Sequence, residues 1–311
     1  MIIIKQYMDE NKKQWDEFCN KSRNGIFMFN RDYMDYHRDR FTDSSLMFFL
    51  DEQLIAVLPL SIHGDVLISH GGLTYGGFIV SEKIKQHTMI ECFNELKTYC
   101  ANKNIKTLIY KNIPHIYHRY PTEEDIYALF VNRAFIYKIE PSTVIDLENP
   151  MKMPKGRKAQ ISRAKREGVI VKKSEDFETF IELENSVLLK YHETKAVHNA
   201  GELKLLKNNF PNNIYLYAAY YAEKMIAGVL IFEYDNVIHT QYMASNDFSR
   251  EIGGLDYTVF TIINEYKGRK KYLDFGISTE DGGKILNEGL ISQKESFGGR
   301  TNAYITWEWD M

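Results

Sequence analysis

The order of strand and helix patterns in the first half of this chain returns in the second half. The first copy comprises strands at 46–50, 54–62 and 66–69, a glycine-rich segment at 70–77, a helix over 81–103 and a strand at 107–110. The second copy comprises strands at 213–221, 224–234 and 237–245, a polar loop at 247–254, a helix over 255–266 and a strand at 271–275. We predict an α/β (α+β) chain with two similar domains, 1–150 and 151–311, each a mixed, mostly antiparallel sheet flanked by helices. Chance similarity between common strand and helix units is the alternative.

Composition limits where such a protein works and what it binds. A net charge of -3 over 311 residues makes the surface as a whole a poor partner for nucleic acids. Cys19, Cys92 and Cys100 form no C-x-x-C pair, so neither a disulfide framework nor a zinc site is expected. No apolar run is long enough to span a bilayer, and the one at Ile2–Ile4 is too short for a signal peptide. These features favour a cytoplasmic protein without a bound metal.

A basic segment lies between the two copies. Over residues 152–173, Glu167 is the one acidic residue among many lysines and arginines. Pro154 and Gly168 are typical of the start and end of a helix within this segment. Such a helix either presents a solvated face or binds phosphates, those of a nucleotide-linked substrate or of an RNA.

The loop predicted before the second long helix is a candidate phosphate site. It reads Ser-Arg-Glu-Ile-Gly-Gly-Leu over 249–255. Glycines let backbone N–H groups approach a ligand, and the following helix N-terminus adds partial positive charge. Arg250 would pair with one phosphate of a pyrophosphate. Alternatively, Gly253 and Gly254 only shape a turn.

Two levels of family resemblance rest on these segments. The elements over 213–275 resemble acyl-CoA N-acyltransferases of the GNAT superfamily, whose pyrophosphate loop lies between the fourth strand and the next helix. Segments 156–169, 272–278 and 293–299 resemble the Fem family of peptidoglycan-bridge aminoacyltransferases and related acetyltransferases of polysaccharide synthesis. The chain departs from the Fem pattern in two ways. Residues 178–210 have room for two ordinary helices and not for a long helical arm, and Gln293 stands where relatives have Phe.

The resemblance implies two GNAT-like domains and transfer of an acyl group to an amine. The donor would be a thioester such as acetyl-CoA, or another acyl-CoA, acting as co-substrate. Its binding residues would be Arg250, Ile252, Gly253, Gly254 and Ala244.

Acyl transfer also needs a base, an oxyanion donor and a group that protonates the leaving atom. Candidate bases are His192, Glu193, His239 and Asp274. Backbone groups from Tyr242 to Ala244, at the end of a central strand, are candidate oxyanion donors. By resemblance, Lys294 would stabilise an anionic oxygen. The alternatives are a packing role for His239, a backbone-capping role for Asp274 and solvent exposure for Lys294.

Four further residues are predicted to contact the substrate. Tyr75, in the glycine-rich segment, offers a ring that stacks on a sugar. Arg157 lies on the basic helix, Glu193 follows His192, and Gln241 precedes Tyr242 on the strand.

These observations support one leading function and two alternatives. The leading function is acyl transfer from acyl-CoA to a nucleotide-linked amino sugar in polysaccharide or cell-wall synthesis. The basic helix favours the second, an aminoacyl-tRNA-dependent transferase. The third is a binding module that recognises a glycan without catalysis.

Overall fold

The structure is a computed structural model that describes residues 1–192 and 194–311, except for the side chains of Tyr191 and His192. Two compact units are present. Unit 1 contains Met1–Glu140, Asp281–Lys284 and Ala303–Met311, and unit 2 contains Pro141–Glu280 and Ile285–Asn302. The predicted single boundary at residue 150 therefore differs from the observed grouping. The C-terminal strand groups with unit 1 because Thr306–Asp310 pairs with Thr107–Lys111.

Unit 1 contains two sheets and four helices. Its strands are β1 (Ile2–Gln6), β2 (Leu46–Leu50), β3 (Gln53–Leu58), β4 (Leu60–His63), β5 (Val66–Ser69), β6 (Ile79–Val80), β7 (Thr107–Lys111), the start of β8 (Phe135–Asp146) and most of β16 (Arg300–Asp310). Its helices are α1 (Lys12–Lys21), α2 (Arg31–Met34), α3 (Gln86–Asn102) and α4 (Glu124–Val131). One sheet has the order β1-β2-β3-β6, and β4, β5, β7 and β16 are neighbours in the other.

Proline divides one strand that the sequence predicts as continuous. The predicted strand 54–62 is two strands, β3 and β4, separated at Pro59 and belonging to different sheets. Proline has no N–H to donate to a ladder, so the chain leaves the first sheet at this point. The two sheets enclose a core around α3 that includes Phe48, Phe93 and Trp309.

Unit 2 has one mixed run of strands with helices against it. Its strands are β9 (Ile170–Ser174), β10 (Ile214–Tyr221), β11 (Lys224–Glu233), β12 (Val237–Ser245), β13 (Tyr272–Ile277), β14 (Thr279–Glu280) and β15 (Ile285–Leu286), with the end of β8. Its helices are α5 (Lys155–Arg166), α6 (Phe177–His192), α7 (Ala200–Asn209), α8 (Asp247–Ile252), α9 (Gly254–Tyr266) and α10 (Glu288–Glu295). The strand order is β8-β13-β12-β11-β10-β9, with β14 and β15 as a separate hairpin.

The same strand–helix–strand connection occurs in each of the two units, as the repeated sequence pattern predicts. In unit 1, β5 and β7 are parallel and α3 lies between them in sequence. In unit 2, β12 and β13 are parallel and α9 lies between them. All other pairings given above for these sheets are antiparallel. The predicted fold class is confirmed. No helix in the described parts of the chain is both long and apolar enough to cross a bilayer.

Candidate active site

A cavity of about 670 Å³ lies within unit 2. We call it the unit 2 cavity. Its walls come from α6, the end of β12, the α8–α9 junction, β14 and α10. Its lining residues are Glu184, Val187, Leu188, Met243, Ser245, Arg250, Leu255, Asp256, Glu280, Asn287, Leu290 and Gln293. Among the described residues that line this cavity, Arg250 is the only one that was predicted to bind the donor.

The end of β12 presents backbone groups beside this cavity. β12 pairs with β13 over Val237–His239, and the described pairing ends there. On its other edge β12 stays paired with β11 as far as Ser245, with a register shift next to Gln241. The strand edge from Thr240 to Ser245 is therefore open toward β13, and bulges of this kind often adjoin active sites. This is the stretch in which the sequence predicts oxyanion donors.

The prediction of a loop at 247–254 is wrong, because residues 247–252 form the helix α8. The Asn246 side chain accepts a hydrogen bond from the Ser249 N–H at 2.8 Å and caps the helix. Gly253, at a φ of +83°, ends α8 and precedes the first residue of α9. Arg250 is exposed and forms an ion pair with Asp247 at 3.7 Å. Most N–H groups that a loop would offer to a phosphate are therefore used within α8.

The two glycines have packing roles. A Cβ on Gly253 would lie 2.5 Å from the carbonyl oxygen of Gln160 on α5, and one on Gly254 would lie 2.5 Å from Ser249 Oγ. Ile252 is 4% exposed within the hydrophobic core, so its side chain does not reach a ligand. Ala244 is fully buried and pairs with Gly228. The turn interpretation therefore explains these glycines, while the N-terminal amides of α9 stay beside the cavity.

Arg157 fixes α5 to the start of α9. Its guanidinium forms an ion pair with Asp256 and donates to Ser296 Oγ from Nε at 2.9 Å. The same group lies 4.3 Å from the ring centre of Phe297. Both members of the ion pair are largely buried, at 17% and 13% side-chain exposure. This position favours a structural role for Arg157 over the predicted contact with substrate.

Lys294 is buried, at 4% exposure. Its Nζ donates to the carbonyl oxygens of Gly276 at 3.0 Å and Ile277 at 2.7 Å. Burial lowers its pKa to about 8, and the nearby charge of Asp274 opposes that shift. The solvent-exposed alternative is excluded, and the ammonium group is held at the end of β13, while the preceding residue in sequence, Gln293, lines the cavity.

Asp274 is fully buried and is engaged by its neighbours. It accepts hydrogen bonds from the Ser142 hydroxyl and from the Gly276 N–H, and His239 Nδ1 lies 3.1 Å from Oδ2. A carboxylate placed in this way orients His239 and is out of reach of a substrate. The structure therefore does not support Asp274 as the base.

Tyr242 lies on the open part of β12. Its hydroxyl is 2.7 Å from His198 Nδ1, and burial raises its pKa to about 12. The phenol is therefore protonated at neutral pH and is not a base, and the direction of its hydrogen bond with His198 is set by the tautomer of the imidazole. Gln241, next to it, is half-buried.

The cavity wall includes a carboxylate that the sequence analysis missed. Glu184 is 6% exposed, and burial raises the pKa of its carboxyl to about 7. A sequence signal exists: Phe177, Phe180 and Ile181 precede it at helical spacing, so Glu184 falls on the apolar face of α6. A charged residue on such a face is a candidate for function.

Tyr75 lies away from this cavity, and two further predicted residues, His192 and Glu193, fall wholly or in part outside the described residues. Tyr75, in unit 1, is 2% exposed and packs against the rings of Tyr117 and Tyr304 at 4.9 and 5.5 Å. Sugar stacking is therefore not supported, because other rings already cover its faces. The side chain of His192 and all of Glu193 lie outside the described residues, so their predicted roles stay predictions.

Comparisons with known proteins bear on the fold. No protein-family model and no curated protein matches the sequence. The crystal structure of FemX matches with a TM-score of 0.70 and 10% identity, over 99% of this chain and 97% of that chain. L-PGS from Bacillus licheniformis matches with 0.65 and 12%, over 96% and 91%. A tandem GNAT protein from the clavulanic acid biosynthesis pathway matches with 0.55 and 9%, over 100% and 98%. This chain therefore has a tandem GNAT-like fold of the Fem type.

Proposed function

We propose that this chain is an N-acyltransferase that moves an acyl group from acyl-CoA to the amine of a nucleotide-linked amino sugar. The observation that carries the proposal is the open edge of β12 beside the unit 2 cavity. Backbone N–H groups on such an edge are suited to hold the oxyanion that develops when an amine attacks a thioester.

Charges near the α8–α9 junction suit the donor's phosphates. The first turn of α9 leaves N–H groups without intrahelical partners, and the helix dipole makes this end positive. Arg250 lines the cavity from α8, is exposed and carries a positive charge suited to a phosphate, and its guanidinium lies 3.7 Å from the Asp247 carboxylate. At about 670 Å³ the cavity is also within the usual size range of ligand sites.

The carboxyl groups in the cavity wall suit the acceptor amine. Glu184 and Glu280 contribute carboxyl groups to the lining, while the charge of Asp256 is matched by Arg157. An amine enters in its cationic form at neutral pH, so a wall with carboxylates attracts it before it loses its proton.

A second candidate is an aminoacyl-tRNA-dependent transferase. The basic surface of α5 favours it, since Lys155, Lys158, Lys165 and Arg166 are exposed on that helix. Likeness to FemX in fold is compatible with either donor. An RNA donor would bind with a strong dependence on salt concentration, because lysines and arginines displace counterions from phosphates.

Calorimetric titration separates these donors. Coenzyme A and acetyl-CoA are titrated into the wild type, into Arg250→Ala and into the control Arg269→Ala, which changes an exposed arginine beyond α9. Micromolar binding that is weakened by the first substitution alone supports the acyl-CoA proposal. No binding by the wild type, together with salt-dependent binding of alanyl-tRNA, replaces it with the second candidate. No binding of either donor, with retained glycan binding, would leave a non-catalytic module.

A further inference from the structure

Glu184 is an unusual residue for the face of α6 on which it lies. The helix packs against β11 and β12, and Phe177, Phe180 and Ile181 on its inner face are at most 7% exposed. Glu184 continues that face and is 6% exposed, but it also borders the unit 2 cavity. A carboxyl group in an apolar wall costs stability unless it is protonated or paired.

Pairing does not account for this carboxyl within the described part of the chain. Its Oε2 atom is buried and has no hydrogen-bond partner among the described residues. Among the described residues, burial is the one cause of the raised pKa of Glu184. Ionisable groups that face it across the cavity and from β12 are Tyr242, Arg250, Asp256 and Glu280.

We propose that Glu184 is the general base that takes the proton from the attacking amine. This inference rests on the function proposed above and names a catalytic residue for it. The position explains why a carboxyl group is retained on an apolar face: it borders the space in which the reacting atoms meet, between α6 and the open edge of β12. A base held in an apolar wall also keeps a proton affinity suited to neutral pH.

The step balances without a further reactant. The neutral amine nitrogen attacks the acyl carbonyl carbon, a C–N bond forms, and the carbonyl oxygen becomes an oxyanion. Glu184 takes the excess proton from nitrogen. The tetrahedral intermediate then collapses, the C–S bond of the thioester or the C–O bond of the aminoacyl ester breaks, and the leaving sulfur or oxygen receives that proton. Glu184 returns to its carboxylate form at the end of each turnover.

The test compares Glu184→Gln with a matched control on the same helix. Glu182→Gln changes an exposed carboxylate two residues away. Each variant is assayed from pH 5.5 to 9 for transfer from acetyl-CoA, and from alanyl-tRNA, to UDP-glucosamine and other primary amines. Donor affinity is measured in parallel by calorimetry, and far-UV circular dichroism verifies folding.

We expect Glu184→Gln to lower kcat about 100-fold or more, the usual contribution of general base catalysis, with donor Kd within about twofold of wild type. Wild-type kcat/KM should fall with decreasing pH below about 7, and the variant should lose this decline. Glu182→Gln should behave as wild type. A folded Glu184→Gln variant with near-normal kcat and an unchanged pH profile overturns the role of Glu184 alone. Failure of the wild type to use either donor overturns the proposed function and this inference together.

Discussion

Removal of the Arg157 guanidinium should destabilise unit 2 because it leaves the Asp256 carboxylate buried without its partner. Asp256 has 13% side-chain exposure. Breaking a buried ion pair from one side costs about 3–5 kcal/mol. We therefore expect Arg157→Met to lower the free energy of unfolding of unit 2 by that amount. Asp256→Asn should cost less, since the uncharged amide still offers Arg157 an acceptor.

The double variant gives the sharper result. In Arg157→Met/Asp256→Asn no charge is left buried, so its cost should be lower than the sum of the single costs by about 0.5–3 kcal/mol, the range for residues in direct contact. Lys158→Met, at an exposed neighbour on α5, serves as control and should change stability by less than about 0.5 kcal/mol.

The measurement must report on unit 2. Trp15, Trp307 and Trp309 all belong to unit 1, so tryptophan fluorescence would follow the wrong unit. Hydrogen exchange of the amides in α5 and α9, followed against urea concentration, reports directly on the two helices that the ion pair joins. Additive costs in the double variant would refute the reasoning. A loss of donor affinity without a loss of stability would instead return Arg157 to its predicted contact with substrate.

Three further substitutions test other parts of unit 2. Gly253→Ala should lower the free energy of unfolding by about 2–5 kcal/mol, because a left-handed backbone disfavours a Cβ and that atom would meet the Gln160 carbonyl oxygen. Urea-dependent hydrogen exchange measures this cost, and a value below about 1 kcal/mol contradicts the prediction. Asn246→Ala should cost about 1 kcal/mol, because α8 loses its N-terminal cap. The Ser249 amide should then exchange its hydrogen faster, and an unchanged exchange rate would argue against the cap. Glu184 has a raised pKa, so the wild type should lose about 3 kcal/mol of stability as pH rises from about 4.5 to about 7, at about 1.4 kcal/mol per pKa unit. Glu184→Gln should remove this loss, and parallel stability profiles of variant and wild type would contradict the buried carboxyl.

Periodicity predicted the elements well because the same apolar positions that define them also form the cores. The helix over 155–166 and the strand at 237–245 lie where the sequence places them. The errors came from local competition. Pro59 interrupts an apolar run that otherwise reads as one strand, and Asn246 caps a helix that the polar, glycine-containing composition of 247–254 concealed.

The candidate site was harder to predict because its groups gain their character from burial. Lys294 and Asp274 were predicted as catalytic groups, with solvent exposure and backbone capping as the alternatives, and both are buried in the fold. Arg157 was assigned to substrate, yet its nearest charge is Asp256, 99 residues away in sequence. Glu184 was visible as a charge on an apolar helix face, but that pattern by itself does not indicate a cavity.

The divergence of β12 from β13 has a consequence for how this protein can change over evolutionary time. Backbone amides that recognise a carbonyl oxygen cannot be deleted by a substitution, since nearly every residue type carries the same N–H group. Under the proposed function, recognition of the acyl group would thereby be largely insulated from mutation. Under the proposed function, selectivity for the acceptor would depend instead on side chains of α6, β14 and α10, which line the same cavity and are replaceable one at a time. Diversification of such enzymes should therefore alter what receives the acyl group more readily than how the group is held.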